Sequence, residues 1–304
     1  MKIVHGDTVE WRRGLEYRGG TFHFRNLAEG EEGSVDNFKL TVGRSSADFY
    51  SPRHRHNFEQ IRFVLDGELS FGRDGTLSAG MVGYFPEGVH YGPQTQHHES
   101  LAIVLQCGGA SGSGYPSRNE VKAAMDALEA FGKFEEGVFR RREGLSGEKG
   151  PGKKNMDGFQ AIWEHINQRP MVYPKGRYPA PIMMDPKNYA WTAVESSKGV
   201  EEKLLGVFTE RRTEARFLRL DAGSSYYAKG RGVYYVVSGT GTAADGDYRA
   251  MSTIYLKKGE RTMIQANAET QMFLFGLPDL TGMKLGQLSG AAAPDDAETA
   301  EAAE

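Results

Sequence analysis

His54-Arg55-His56-Asn57-Phe58-Glu59-Gln60-Ile61-Arg62-Phe63-Val64-Leu65-Asp66-Gly67 is the stretch on which the reading of this chain turns. Ile61 to Leu65 is apolar, β-branched and aromatic apart from Arg62, and it stops at Asp-Gly, which reads as a strand running into a turn. Alternate residues of an extended chain share a face. His54 and His56 therefore point the same way and can offer two imidazole nitrogens to one ion. Gln60, Arg62 and Val64 share a face in the same manner, whereas Arg53 and Arg55 alternate away from the histidines. Glu59 faces away if Gln60 faces in.

A second stretch, Gly80-Met81-Val82-Gly83-Tyr84-Phe85-Pro86-Glu87-Gly88-Val89-His90, ends another short apolar run in a Pro-x-Gly turn that delivers His90. Together the two stretches resemble the paired motifs of the cupin superfamily. The first motif is a His-x-His pair, a glutamate and then a glycine. The second is a glycine followed by Pro-x-Gly-x-x-His or the close variant Pro-x-Gly-x-His. Gly67, Gly80, Pro86, Gly88 and His90 fit. The resemblance implies an all-β chain of two cupin-type jelly-roll β-barrels joined by a helical linker. It also implies one divalent transition metal ion, with His54, His56, Gln60 and His90 as the ligand set. Imidazole suits Fe(II), which we favour, and equally Ni, Cu, Zn or Mn. The sequence departs from the motif at three places. Gln60 stands at the glutamate, Asp48 at the glycine before His-x-His, and Gln94 at the asparagine after the last histidine. Gln60 could ligate through its amide oxygen or only hydrogen-bond a bound water, and a local bulge would bring Glu59 in instead. Without a carboxylate the ion keeps its full charge, which favours an anionic ligand.

Arg62 follows on the same face as Gln60. A guanidinium inside an apolar barrel needs an anion, and arginine grips a carboxylate with two parallel bonds. The substrate's acidic group is one candidate partner, and Glu68 or Asp66 at a barrel mouth is the other. Arg62 and Gln60 are thus the expected catalytic residues. His97 and His98 lie in a polar loop and read as surface. Tyr84 and Tyr91 flank the second motif, either lining the cavity or packing.

Outward from this core, Leu69 to Phe71 and Leu101 to Gln106 repeat the pattern of short apolar runs ended by glycine, and so do Phe217–Leu220, Val233–Val237, Ser252–Leu256 and Met272–Leu277. Such spacing suggests a sandwich or barrel. Between the two β regions Ser117-Arg118-Asn119-Glu120 reads as a capping box, followed by Val121, Met125, Leu128 and Phe131 at helical spacing. Arg140 to Asn155 reads as an exposed linker, and Gly158 to Asn167 as a second short helix. The expected domains are residues 1–116, 117–156 as helix and linker, and 157–288, with a disordered tail over 289–304. Setting Gly239 on Gly67 puts Tyr226, Ala228, Gly232 and Arg261 at the positions of His54, His56, Gln60 and His90. The second region is therefore a weak copy without a metal site, suited to packing or dimerisation. An anion pocket at Arg231 and Arg261 is a further option.

Composition narrows the functional classes. A net charge of −3 gives no support for a nucleic-acid partner. No run reaches the roughly 18 apolar residues of a membrane helix, and Met1 to Gly14 lacks a signal peptide's apolar core, so a cytoplasmic location is expected. One cysteine, Cys107, excludes an internal disulfide and reads as core. The leading functional expectation is a metal-dependent oxidoreductase, a dioxygenase whose small anionic or enolisable substrate chelates the ion. The alternatives are an O2-independent but metal-dependent decarboxylase, lyase or isomerase, and a non-catalytic small-molecule-binding cupin.

Overall fold

The computed structural model describes residues 1–15, 17–142, 154–244 and 246–285. The decisive stretch forms the strand Glu59–Asp66. It lies third in an antiparallel seven-stranded sheet whose order is Ile182–Met184, Val82–Phe85, Glu59–Asp66, Ser100–Cys107, Phe38–Ser45, Phe22–Glu29, Arg12–Arg13. A four-stranded sheet (Tyr50–Ser51, Gln94–Thr95, Glu68–Ser70, Thr76–Ser78) faces it, and Val64, Leu69, Phe71, Leu77, Phe85 and Ala102 pack between the two. The second half repeats the plan. Lys2–His5, Ser252–Leu256, Gly232–Ser238, Thr270–Gly276, Glu214–Leu220, Val200–Val207 and Thr192–Ala193 form a seven-stranded sheet in the corresponding order, again faced by four strands.

The alignment of Gly67 with Gly239 has a structural counterpart. Both have positive φ, +71° and +95°. A Cβ would stand 2.5 Å from the Glu99 carbonyl oxygen at the first and 2.5 Å from that of Glu269 at the second. Each glycine turns the chain tightly under the start of the neighbouring strand, where a side chain has no room.

Every residue from Glu59 to Val64 is buried, because both faces of this strand are covered. Gln60, Arg62 and Val64 face the interior of the first sandwich. Ile61 and Phe63 face the second sandwich, where they join Phe217, Phe273, Phe275 and Cys107 in one cluster. Phe63, Phe217 and Phe273 form an aromatic triad with ring centroids 4.7–5.3 Å apart. The two large sheets thus pack back to back. The interior of the second sandwich is filled by Leu218, Tyr234, Val236, Tyr248, Ile254, Ile264 and their neighbours.

Two strands cross the expected domain limits at 116 and 157. Lys2–His5 pairs with Ser252–Leu256 in the second sheet, and Ile182–Met184 pairs with Val82–Phe85 in the first. The capping box at Ser117 forms and starts helix α1, Arg118–Leu128. The ends of the segment read as an exposed linker are strands: Val138–Arg141 lies between Gly132–Glu135 and Asn155–Asp157. Residues 143–153 and the tail from 289 lie outside the described residues. Helix α2, Gly158–Asn167, is capped by Asp157 and buries Phe159, Ala161, Ile162 and Trp163. No helix among the described residues is long and apolar enough to cross a membrane.

Candidate active site in the first sandwich

The first sandwich holds a cavity of about 200 Å³, lined among others by Arg18, His54, His56, Gln60, Arg62 and Tyr91. Its floor is the strand Glu59–Asp66. The insert between the sandwiches supplies part of its wall, with Phe159 of α2 packing edge-on to His56 at 5.1 Å and to Phe58 at 5.1 Å.

His54 and His56 come together as their spacing requires, with Nε2 atoms 3.1 Å apart. His54 Nδ1 lies 2.6 Å from the Pro52 carbonyl, which can only accept, so Nδ1 carries the proton and Nε2 is bare. In the free pair His56 Nε2–H then donates to His54 Nε2, and His56 Nδ1 is left as a buried atom with no partner. Burial, reinforced by the Arg18 charge, pushes the pKa of His54 down to about 3. Burial and neighbouring His54 take His56 well below the usual histidine range. Both rings are neutral at pH 7.

His90 does not join them. Its side chain is exposed, and its carbonyl accepts from Arg53. The cause is a one-residue register. Tyr91, not His90, bridges His54, with His54 N–H to Tyr91 O at 3.1 Å and Tyr91 N–H to His54 O at 2.9 Å. In an antiparallel bridge the facing residues project to the same side, so Tyr91 enters the cavity and His90 alternates outward. The sequence offered two spacings of the second motif, and the longer, Pro-x-Gly-x-x, leads to Tyr91. His97 and His98 are exposed. Glu59 faces the seam, accepting from the Ala110 amide at 3.0 Å and Thr213 Oγ1 at 2.6 Å.

Gln60 and Arg62 enter the cavity together. Arg62 donates to Gln60 Oε1 from Nε and Nη2 at 3.2 and 2.9 Å, to Gln94 Oε1 from Nη1 at 2.8 Å, and to the Tyr91 hydroxyl oxygen from Nη2 at 3.3 Å. Gln60 Nε2–H donates to the same hydroxyl oxygen at 2.8 Å. Phe85 and Phe71 flank the guanidinium, at 4.5 and 5.1 Å from ring centroid to Cζ. Every polar partner of Arg62 is neutral. Glu68 and Asp66 are not among them, and no carboxylate among the described residues forms an ion pair with it.

The donor set can be tested against a resident ion. Two ligands about 2.0–2.1 Å from one ion stand about 3.3 Å apart in a tetrahedral shell, so the His54–His56 pair has the separation of two ligands. The rest of the expected set is missing. His90 is outside, the Gln60 carbonyl is taken by a cation, and no group of three or more His, Cys, Asp or Glu placed to hold one ion occurs among the described residues. A ligating histidine normally donates its other ring N–H, and His56 Nδ1 has no acceptor. The residues do not fit a resident metal ion. Dialysis against Zn(II), Ni(II), Mn(II) or anaerobic Fe(II), followed by metal analysis, should leave well below one ion per chain. One tightly held ion that is lost in His56→Ala would reverse this conclusion.

At the counterpart positions in the second sandwich Ala228 is packed in the core, Tyr226 is half-buried against Tyr234, and Arg261 is exposed. Arg231 donates to the Leu277 carbonyl and lines a separate groove that Arg261 does not reach. Arg18, Gln94 and Asp157 are functional candidates that the sequence did not single out for the site.

No family model matches the chain, and no curated protein matches it by sequence. Solved structures do. A candidate dioxygenase from Nostoc punctiforme has a TM-score of 0.60 at 14% identity, covering 96% of this chain and 87% of its own. A candidate glyoxylate-induced protein from Pseudomonas aeruginosa has a TM-score of 0.54 at 10% identity, covering 90% and 86%. An oxalate decarboxylase from Bacillus subtilis has a TM-score of 0.50 at 14% identity, covering 91% and 76%. At these identities the likeness is one of fold, and with the two motifs read from the sequence it places the chain among proteins of the cupin fold.

Proposed function

We propose that the first sandwich is an enzyme site for a small organic anion and that its chemistry is O2-independent proton transfer, of the isomerase or lyase class. The observation that carries this reading is Arg62: a buried guanidinium that lines the cavity and is paired only with neutral groups. A desolvated cation without an anion is costly, and a bound carboxylate or enolate oxygen supplies the missing charge, accepting from the one Nη1–H that Gln60, Gln94 and Tyr91 leave free.

The other residues supply the proton chemistry. His56 Nδ1 is a bare nitrogen in a residue that lines the cavity. It takes a proton from the carbon next to the substrate's carbonyl. The C–H electron pair moves onto the carbonyl oxygen, where Arg62 and the Tyr91 hydroxyl stabilise the enolate. The resulting imidazolium keeps its Nε2–H on His54 Nε2, and His54 is itself fixed by its Nδ1–H bond to Pro52. In a substrate with a β,γ double bond the enolate is a dienolate, and return of the proton to its γ-carbon shifts the double bond into conjugation and gives the isomer. Phe58 and Phe159 pack against the His56 ring and hold it in place. Dioxygenation of a chelated substrate, the first expectation from the motif, requires an ion whose ligands are not assembled here.

The test is deuterium incorporation into 2-oxobutyrate in D2O under argon, followed by proton NMR. Exchange at C3 should depend on the protein and disappear in His56→Gln. Oxygen consumption by Fe(II)-treated protein without any such exchange would sink the proposal in favour of the dioxygenase.

A further inference from the structure

The cavity has a second cationic end. Four basic side chains line it, Arg18, Lys39, Arg62 and Arg118, and among the described residues no Asp or Glu does. Arg18 is neutralised by Asp157, with Nη1 to Oδ2 at 3.0 Å. Lys39 and Arg118 form no ion pair among the described residues. Alternation along Phe38–Ser45 sends Phe38, Leu40 and Val42 into the seam and turns Lys39 and Thr41 to the cavity. Arg118 is the first residue of α1, fixed there by the capping box at Ser117. Both cations lie over one ring, with Lys39 Nζ 4.2 Å and Arg118 Cζ 4.9 Å from the Phe24 centroid. Arg118 Nη2 donates to the Arg13 carbonyl at 3.3 Å. Glu29 stands opposite Lys39 in the strand register, but its Oε2 accepts from Asn26 Nδ2 at 2.7 Å. Burial and the Arg118 charge pull the Lys39 ammonium down to about 8, so it is still protonated at pH 7. Two like charges, partly stripped of water, are therefore held side by side without an anion.

We infer that Lys39 and Arg118 form a second anion subsite, so that the ligand of this cavity is a dicarboxylate with one head on Arg62 and the other on this pair. The inference rests on the anion-binding reading of Arg62. The register sets the separation of the two ends. Ser100–Cys107 lies between the strand of Lys39 and the strand of Arg62, and Lys39, Gln106 and Gln60 stand opposite one another across the three. Two strand spacings, about 10 Å, thus part the two strands. The floor between them is Thr41, Val104 and Gln106, which offers no charge to the middle of a chain. A ligand with acidic groups at both ends and an uncharged chain between them matches this distribution, and a single carboxylate leaves one end unpaired.

The test is titration calorimetry on the full chain with glutarate, adipate, pimelate and suberate, each against the straight-chain monocarboxylate of the same carbon number, valerate to octanoate. At the best-fitting length the diacid should bind at least about tenfold more tightly than its monoacid, the effect of pairing a partly desolvated charge. Succinate is too short to span the floor and should show no such advantage over butyrate. Lys39→Met keeps an unbranched apolar side chain over Phe24 and removes the charge, so the diacid-to-monoacid ratio at that length should fall to near one. Should that variant fail to fold, Arg118→Met is the second arm and should lower the same ratio severalfold. No preference at any length in wild type, an equal preference for succinate over butyrate, or an unchanged ratio in the variants overturns the inference while the Arg62 site stands. If no acid binds wild type, or if monoacid binding survives Arg62→Met, the anion reading itself falls and takes the inference with it.

Discussion

Arg62→Met should weaken binding of a small carboxylate such as butyrate by about 2–4 kcal/mol, roughly 30-fold to 1000-fold, the scale for breaking a desolvated charge pair. Methionine keeps much of the length and apolar surface that Phe71 and Phe85 contact, so the cavity wall survives while the charge is lost. The Gln60 and Gln94 carbonyl oxygens lose their donors but border a cavity that can admit water. Arg62→Lys should recover only part of the affinity, since an ammonium cannot reproduce the fork that holds Gln60, Gln94 and Tyr91 while it meets the ligand. Titration calorimetry on the three proteins reads the result. Unchanged affinity in Arg62→Met would mean that the guanidinium never meets the ligand.

The second large effect is on stability. Phe273→Ala should cost about 3–5 kcal/mol, the range for deleting a buried phenyl ring. Phe273 is fully buried in the seam, with its ring centroid 5.1 Å from that of Phe63, 4.7 Å from Phe217 and 4.6 Å from Phe275. Phe63 belongs to the strand that carries Gln60 and Arg62, so the cavity floor is held in place from behind by the second sandwich. Denaturant unfolding followed by tryptophan fluorescence and circular dichroism should show one transition, moved to a lower midpoint for both probes. Two separate transitions, with the first sandwich unaffected, would show that the seam does not couple the halves.

Much of this architecture was legible in the sequence, and the reasons for the exceptions are physical. The strand Glu59–Asp66 announced itself because a β-rich run ends at a glycine whose conformation no other residue adopts cheaply. His54 and His56 were legible because two residues two apart on an extended chain must share a face. His90 was misplaced because a shift of one residue sends a side chain to the opposite face, and the turn at Pro86–Gly88 admits either register. Arg18 and Asp157 are 139 residues apart, and nothing local in either segment reports the other. The strands at Val138–Arg141 and Asn155–Asp157 were hidden by composition, for they are short, carry charged residues and border a Gly- and Lys-rich segment.

The exchanged edge strands bear on the order in which the protein is made. As the chain leaves the ribosome, Lys2–His5 emerges well before its partner Ser252–Leu256. The first large sheet, in turn, keeps an open edge at Val82–Phe85 until residues 182–184 arrive. An unpaired edge is a template for another chain. For the time that ribosomes moving at about 5–20 residues per second need to cover the intervening hundred or so residues, the nascent first half is the vulnerable species, and only the finished second half closes both edges. A gene fusion, a truncation after the first sandwich or a long pause within the insert therefore acts on the same exposed edge, and a helper chaperone is best placed there.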